Sequence, residues 1–148
     1  MGDITRNISR YEMECECGCG FNTCDKVLAD SLQLIVDHFT VVYEAQGKVY
    51  LEITGPNRCL FHNEQVQASY FLSKGKLYKP YSSKSTHIYG IAADFKLYIK
   101  LHSGKRVLIP AVEVFAYMDN TWPDTFGMGI YYNRCHLDVR LEKSRWNG

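Results

Sequence analysis

From Asp25 onward the apolar residues fall at Leu28, Leu32, Ile35, Val36, Phe39 and Val42. Steps of mostly three and four place them on one stripe of an α-helix, with Thr23 or Asp25 as N-cap and Gly47 as the stop. The period changes at Lys48. Lys48 to Thr54 (KVYLEIT) alternates as a half-buried strand does, and Gly55-Pro56-Asn57 breaks the run. Asn57 is placed to cap a short helix over Arg58 to Ala68. A loop with Gly75, Pro80 and the run SSKSTH follows. Ala92 to Lys100 predicts a second strand, His102 to Lys105 a turn, and Arg106 to Ile109 a return strand. Pro110 suits the first position of a helix that runs to about Met118. Gly127 to Tyr132 and Cys135 to Arg140 predict two short strands, paired as a hairpin. Helices and antiparallel strands in succession point to an α+β fold. The expectation is one domain over residues 1–148: a small antiparallel sheet flanked by helices, after an irregular Cys- and Gly-rich entry over residues 1–24.

Composition narrows the partners. A chain of 148 residues is long enough to bury a sizeable core. Its formal net charge of +1 supplies no basic field for nucleic acid. No stretch approaches the roughly 20 apolar residues of a membrane span, so no membrane insertion is expected. The start, MGDITRNISRYEMECEC, has no apolar h-region, which predicts no signal peptide and a cytoplasmic site of synthesis. Without export, the six cysteines are not expected to form disulfides. Four of them crowd into Cys15, Cys17, Cys19 and Cys24. The paired Cys-x-x-Cys spacing is absent, so reduced, packing cysteines are expected; the alternative is a structural zinc held by these residues and Cys59.

The candidate chemistry centres on His87, Asp94 and His136. His87 and Asp94 stand seven residues apart with Gly90, Ala92 and Ala93 between them. Small residues let a turn run straight into a strand, so a His at the loop end and an Asp at the strand start can converge. Two imidazoles and one carboxylate would leave a fourth tetrahedral position open, as catalytic rather than structural zinc requires.

The pattern Ser85-x-His87-x-x-Gly90-x-Ala92-x-Asp94, followed by His136-x-Asp138, resembles the M15 zinc peptidases, the D-alanyl-D-alanine carboxypeptidase-like group. Cys17-Gly18-Cys19-Gly20-Phe21, Asn57-Arg58-Cys59-Leu60-Phe61-His62-Asn63, Gly127 to Tyr131, and Arg145-Trp146 look like its short phage and bacterial members. The resemblance implies His87, Asp94 and His136 as ligands of one catalytic Zn2+, held at the sheet edge. It implies a peptidoglycan stem peptide as substrate, cleaved as by a carboxypeptidase or endopeptidase. The setting it implies is phage lysis or a virion, with virion proteins as possible partners. The competing expectation is a non-catalytic zinc-holding module of a phage particle. A hydrolase of another amide is a further one.

Arg58 matches an arginine that faces the substrate in similar enzymes, although the turn Thr54-Gly55-Pro56-Asn57-Arg58 is one residue longer here. A guanidinium there would hold a peptide carboxylate or polarise the carbonyl. Ser85, two before His87, either bonds substrate or a ligand or is a plain loop serine. Asp138 lies two residues beyond His136 and shares its face of a strand. It would either pass a proton from water to the leaving amine or orient the histidine. Similar enzymes often carry Glu or His three residues before the last ligand. This chain has Asn133, which cannot act as a base. His38, His62 and His102 read as ordinary surface, helix and turn residues. Tyr70, Phe71, Tyr78, Tyr81 and Tyr89 would line a peptide or sugar groove or pack in the core.

Overall fold

The computed structural model describes residues 2–81 and 84–148. Ser82 and Ser83, within the predicted loop before His87, lie outside the described residues, as does Met1 of the N-terminal reading. The chain folds as a single α+β unit: α1 (Lys26–Val42), β1 (Gly47–Gly55), α2 (Leu60–Ser73), β2 (Ala92–Leu101), β3 (Arg106–Leu108), α3 (Ala111–Thr121), β4 (Gly127–Ile130), β5 (Cys135–Asp138) and β6 (Ser144–Asn147). The strands form one sheet in the order β1-β2-β5-β4-β6, and β3 pairs with the far half of β2. Every pair is antiparallel except β4 with β6, which is parallel, so the sheet is mixed rather than antiparallel throughout. No helix among the described residues is long and apolar enough to cross a membrane.

The α1 stripe does what its period requires. Leu28, Leu32, Ile35, Val36 and Phe39 are all buried. They pack with Val114 and Met118 of α3, and with Phe95, Leu97, Ile99, Met128 and Leu137 of the sheet. Each such side chain contributes roughly 1.5–3 kcal/mol when fully buried. The N-terminal segment adds Ile8 and Met13 to the same core. Period-two alternation then sets the sheet's other face. On β2, Ala93, Phe95, Leu97 and Ile99 turn to the core, so Asp94 must turn away from it. On β5, Cys135 and Leu137 belong to the core, which sends His136 and Asp138 to the face that carries Asp94.

Asp25 caps α1 by accepting from the Val27 and Leu28 amides, at 2.8 and 3.4 Å. Asp25→Ala should lower the stability of the whole domain by about 1 kcal/mol, with Asp25→Asn close to wild type. Urea unfolding midpoints check this; equal midpoints for the two variants would refute it.

Several boundaries differ from the sequence expectation. The short helix begins at Leu60 and runs to Ser73, capped by the Cys59 thiol, which accepts from the His62 amide, and not by Asn57. The Asn57 side chain instead donates to the Thr23 carbonyl and ties the entry segment to this corner. Pro110 is the N-cap of α3 rather than its first residue. β6 was not expected. The five aromatics also divide differently: Tyr70, Tyr81 and Tyr89 are exposed, while Phe71 meets Tyr78 at a tilt, with ring centroids 5.6 Å apart.

Candidate metal centre

Asp94 and His136 face each other as direct register partners on β2 and β5. Both strands are interior to the sheet, with β1 on one side and β4 and β6 on the other, so the site sits mid-sheet and not at its edge. His87 reaches it from a short 3-10 turn, Thr86–Tyr89. Gly90 ends that turn with φ 70°, the left-handed region that favours glycine, and its carbonyl accepts from the Asp25 amide. The chain then enters β2 through Ala92 and Ala93, both fully buried.

The three side chains offer one donor atom each, all within 4.8 Å of one another. His87 Nδ1 lies 2.8 Å from the Pro56 carbonyl oxygen. Only a protonated Nδ1 can make that bond, which leaves the lone pair on Nε2, 3.7 Å from Asp94 Oδ1. His136 Nδ1 lies 2.8 Å from the same oxygen, and its Nε2 lies 2.9 Å from Asp138 Oδ2. Each histidine therefore points one nitrogen at a common centre while an oxygen holds the other. That is the arrangement of metal-binding histidines oriented from behind. The site fits a zinc ion on these grounds. Burial pushes the Asp94 carboxyl up, but the adjacent His136 and His87 imidazoles outweigh it and hold the group well below the usual carboxylate range. Space is reserved as well: a Cβ at Gly55 would come within 2.5 Å of Asp94 Oδ2. The bulge between Ile53 and Gly55 puts that glycine opposite Asp94.

Asp138 is fully buried and saturated. Arg140 grips it through Nε and Nη2, each at 2.6 Å, and Thr86 Oγ1 adds a bond of 3.2 Å. Burial raises its carboxyl, yet His136 and Arg140 outweigh that and hold it far below the ordinary range. An added Cβ at Gly127 would collide with the Asp138–Arg140 pair, so that strand position is free of side chain for a reason.

His87, Asp94 and His136 line a cleft of about 260 Å³. Arg58, Ser85, Gln67, Lys84, Tyr131 and Trp146 form its walls. Arg58 is half-buried, its amide donates to the His87 carbonyl, and no carboxylate pairs with its guanidinium among the described residues. Trp146 lies 5.0 Å from the His136 ring, with Nε1 donating to the Tyr131 hydroxyl at 3.0 Å. Asp94 is the one carboxylate among the described residues lining this cleft. The structure thus brings together His87, Asp94, His136, Arg58 and Ser85, and sets Asp138 behind His136. Sequence reasoning missed Arg140, Tyr131 and Trp146 as parts of the site. Arg140 was within reach, because it continues the i, i+2 alternation from His136 and Asp138.

A second group lies apart from the cleft. Cys15, Cys17, Cys19 and Cys59 have Sγ atoms within 4.8 Å of one another, a set that could hold a metal ion. All six cysteines are free thiols. Cys24 and Cys135 are the packing type, pushed by burial to about 11 and about 12. Cys59 is lowered, chiefly by the His62 amide; Cys15 is lowered too, its burial outweighed by hydrogen bonds from Cys17, Cys59 and His62. His62, read as an ordinary helix residue, therefore belongs to this cluster.

No protein-family model matches the chain, and no curated protein or solved structure matches it.

Proposed function

We propose that the chain is a zinc-dependent peptidase that cleaves peptidoglycan stem peptides, as its resemblance to the M15 group implies. One observation carries the reading: two histidines and an aspartate converge in an open cleft, beside an arginine with no acidic partner among the described residues. His87 Nε2, Asp94 Oδ1 and His136 Nδ1 would hold the ion. When bound, zinc supplies a Lewis acid that polarises a carbonyl and makes its water more acidic.

The chain's own residues do the rest. Pro56 and Asp138 fix the tautomers of the two histidines, so their free nitrogens stay aimed at the centre. Arg58 holds the carboxylate of a peptide end or steadies charge on the scissile carbonyl. Trp146 and Tyr131 give an apolar wall with a polar tip, suited to a short aliphatic residue such as alanine. Asp138 acts through His136 as a positioning residue, because its oxygens are occupied by Arg140, Thr86 and His136.

That occupancy also favours the second reading, a zinc-holding module without turnover, since among the described residues the cleft presents no carboxylate beyond Asp94. A defined stem peptide incubated with the zinc-loaded chain separates the two. The peptidase releases new amino termini, and product masses identify the bond. Arg58→Ala should then raise KM by about 10–100-fold, the loss of one charge-assisted contact of 1.5–3 kcal/mol, while zinc content stays unchanged. No cleavage by a fully loaded wild type would leave the module standing.

A further inference from the structure

We propose that Cys15, Cys17, Cys19 and Cys59 hold a second, structural zinc ion that clamps the entry segment to the corner carrying Arg58. This inference does not depend on the peptidase reading.

The geometry comes from an unusual local fold. The Cys15 amide donates to the Phe21 carbonyl at 2.8 Å, and the Gly18 amide to the Cys15 carbonyl at 3.1 Å, which closes residues 15–21 into a tight loop. Gly18, between the second and third cysteines, has φ 75°. An added Cβ there would meet nothing within 4 Å, so this glycine serves the left-handed turn rather than close packing. The turn lets cysteines at i, i+2 and i+4 gather on one point, which an extended strand would spread along its length. Cys59 meets them from the start of α2.

The separations suit one ion. Cys15 and Cys17 Sγ lie 3.4 Å apart, and Cys17 and Cys59 Sγ 3.6 Å. Four thiolates around zinc at about 2.3 Å stand roughly 3.8 Å from one another in a tetrahedron. A disulfide needs about 2.05 Å. A soft, all-sulfur, closed set of four selects zinc over magnesium or calcium and leaves no open position for water.

Two further observations point the same way. Packing does not explain the cluster, because Cys17 and Cys19 are exposed. Two of the sulfurs are also furnished with neighbours able to donate: the Cys59 amide reaches Cys15 Sγ at 3.3 Å, the His62 amide reaches Cys59 Sγ at 3.4 Å, and His62 Nδ1 lies 3.3 Å from Cys15 Sγ. Donors around sulfur favour thiolates, as does the positive end of a 14-residue helix at Cys59.

The clamp has a place to act. Met13 accepts from the Asn57 amide, and Thr23 accepts from the Asn57 side chain. Pro56 and Arg58, on either side of Asn57, bond His87. An ion across Cys15, Cys17, Cys19 and Cys59 would pin both sides of that corner.

The test adds cobalt(II) stepwise to the reduced, metal-free full chain. We expect thiolate-to-cobalt charge-transfer bands in the near ultraviolet and intense visible bands of a tetrahedral ion, both displaced by zinc. The signal should persist in His87→Ala and vanish in Cys17→Ser/Cys59→Ser. Serine still caps α2, so the double variant keeps its helix start. A wild type that binds cobalt with no charge-transfer band would overturn the proposal, as would a band that survives in the double variant. Thiol titration of the wild type needs no variant. Four thiols should be protected in zinc and released by chelator, whereas immediate reaction of Cys17 and Cys19 in excess zinc would refute the site.

Discussion

Replacing Asp138 with alanine should destabilise the metal-free domain by about 3 kcal/mol and weaken zinc binding at His87, Asp94 and His136 by about 10–100-fold. The stability loss follows from what is left behind. Asp138 is fully buried, and its removal strips Arg140 of both its 2.6 Å bonds and His136 of its 2.9 Å bond. Breaking a buried ion pair costs about 3–5 kcal/mol when the remaining charge stays buried. The Arg140 side chain is 37% exposed and can partly rehydrate, which sets the lower end of that range. The affinity loss has a separate origin. Without Asp138, His136 can flip or carry its proton on the nitrogen that should face the ion. Asp138→Asn separates the two effects. An amide oxygen still accepts from His136 Nε2, so zinc affinity should largely recover, while the charge pairing with Arg140 does not. Urea midpoints on the metal-free protein and competition with a zinc chelator read the two quantities. Should Asp138→Ala keep wild-type zinc affinity and lose only turnover, Asp138 would be the proton shuttle, the other role open to it.

How far the sequence reaches depends on the range of the interaction involved. α1, β1 and β2 were legible because burial imprints a local period, and Asp25 caps where its side chain falls. The same alternation places Asp94, His136 and Asp138 on one face. It does not bring His87 to them; that contact closes through the Gly90 turn and the Pro56 carbonyl, across a span of 31 residues. The cysteine cluster was legible only as the alternative to packing, for a related reason. Spacings of i, i+2 and i+4 match no familiar pattern until Gly18 takes positive φ, and the fourth thiol comes 42 residues after Cys17. Its partner His62 looked bland because the contact is tertiary. The α2 cap was misread because Asn57 is the better cap by residue type, whereas tertiary bonds engage it and leave the Cys59 thiol to serve. β6 was missed for want of a signal: four residues, partly exposed, paired in parallel to a strand 17 residues earlier.

That last strand carries a second large effect. Arg145→Ala should cost about 3 kcal/mol and loosen the aromatic wall of the cleft. The Arg145 guanidinium donates to the carbonyls of Thr125, Phe126 and Ser144 through Nη1, at 3.1, 2.7 and 2.9 Å. Nη2 donates to Trp122 at 2.7 Å, and Nε to Asp119 at 2.6 Å. Hydrogen bonds to a charged group contribute about 1.5–3 kcal/mol singly, but five made by one side chain are not additive, and several carbonyls will find water. Phe126 makes the cluster less forgiving, because it holds φ 64° without being glycine and its carbonyl is among those released. Arg145→Lys should recover little, since one ammonium on a flexible stem cannot span four carbonyls and a carboxylate. The consequence for the cleft comes through the next residue. Trp146 packs at a tilt against His136 only while β6 stays paired to β4, where Gly129 leaves room for the indole. Urea unfolding should show the lost stability, and acrylamide quenching of tryptophan fluorescence should show a more accessible indole. A variant with wild-type midpoint and quenching would mean that β6 is held by its backbone alone.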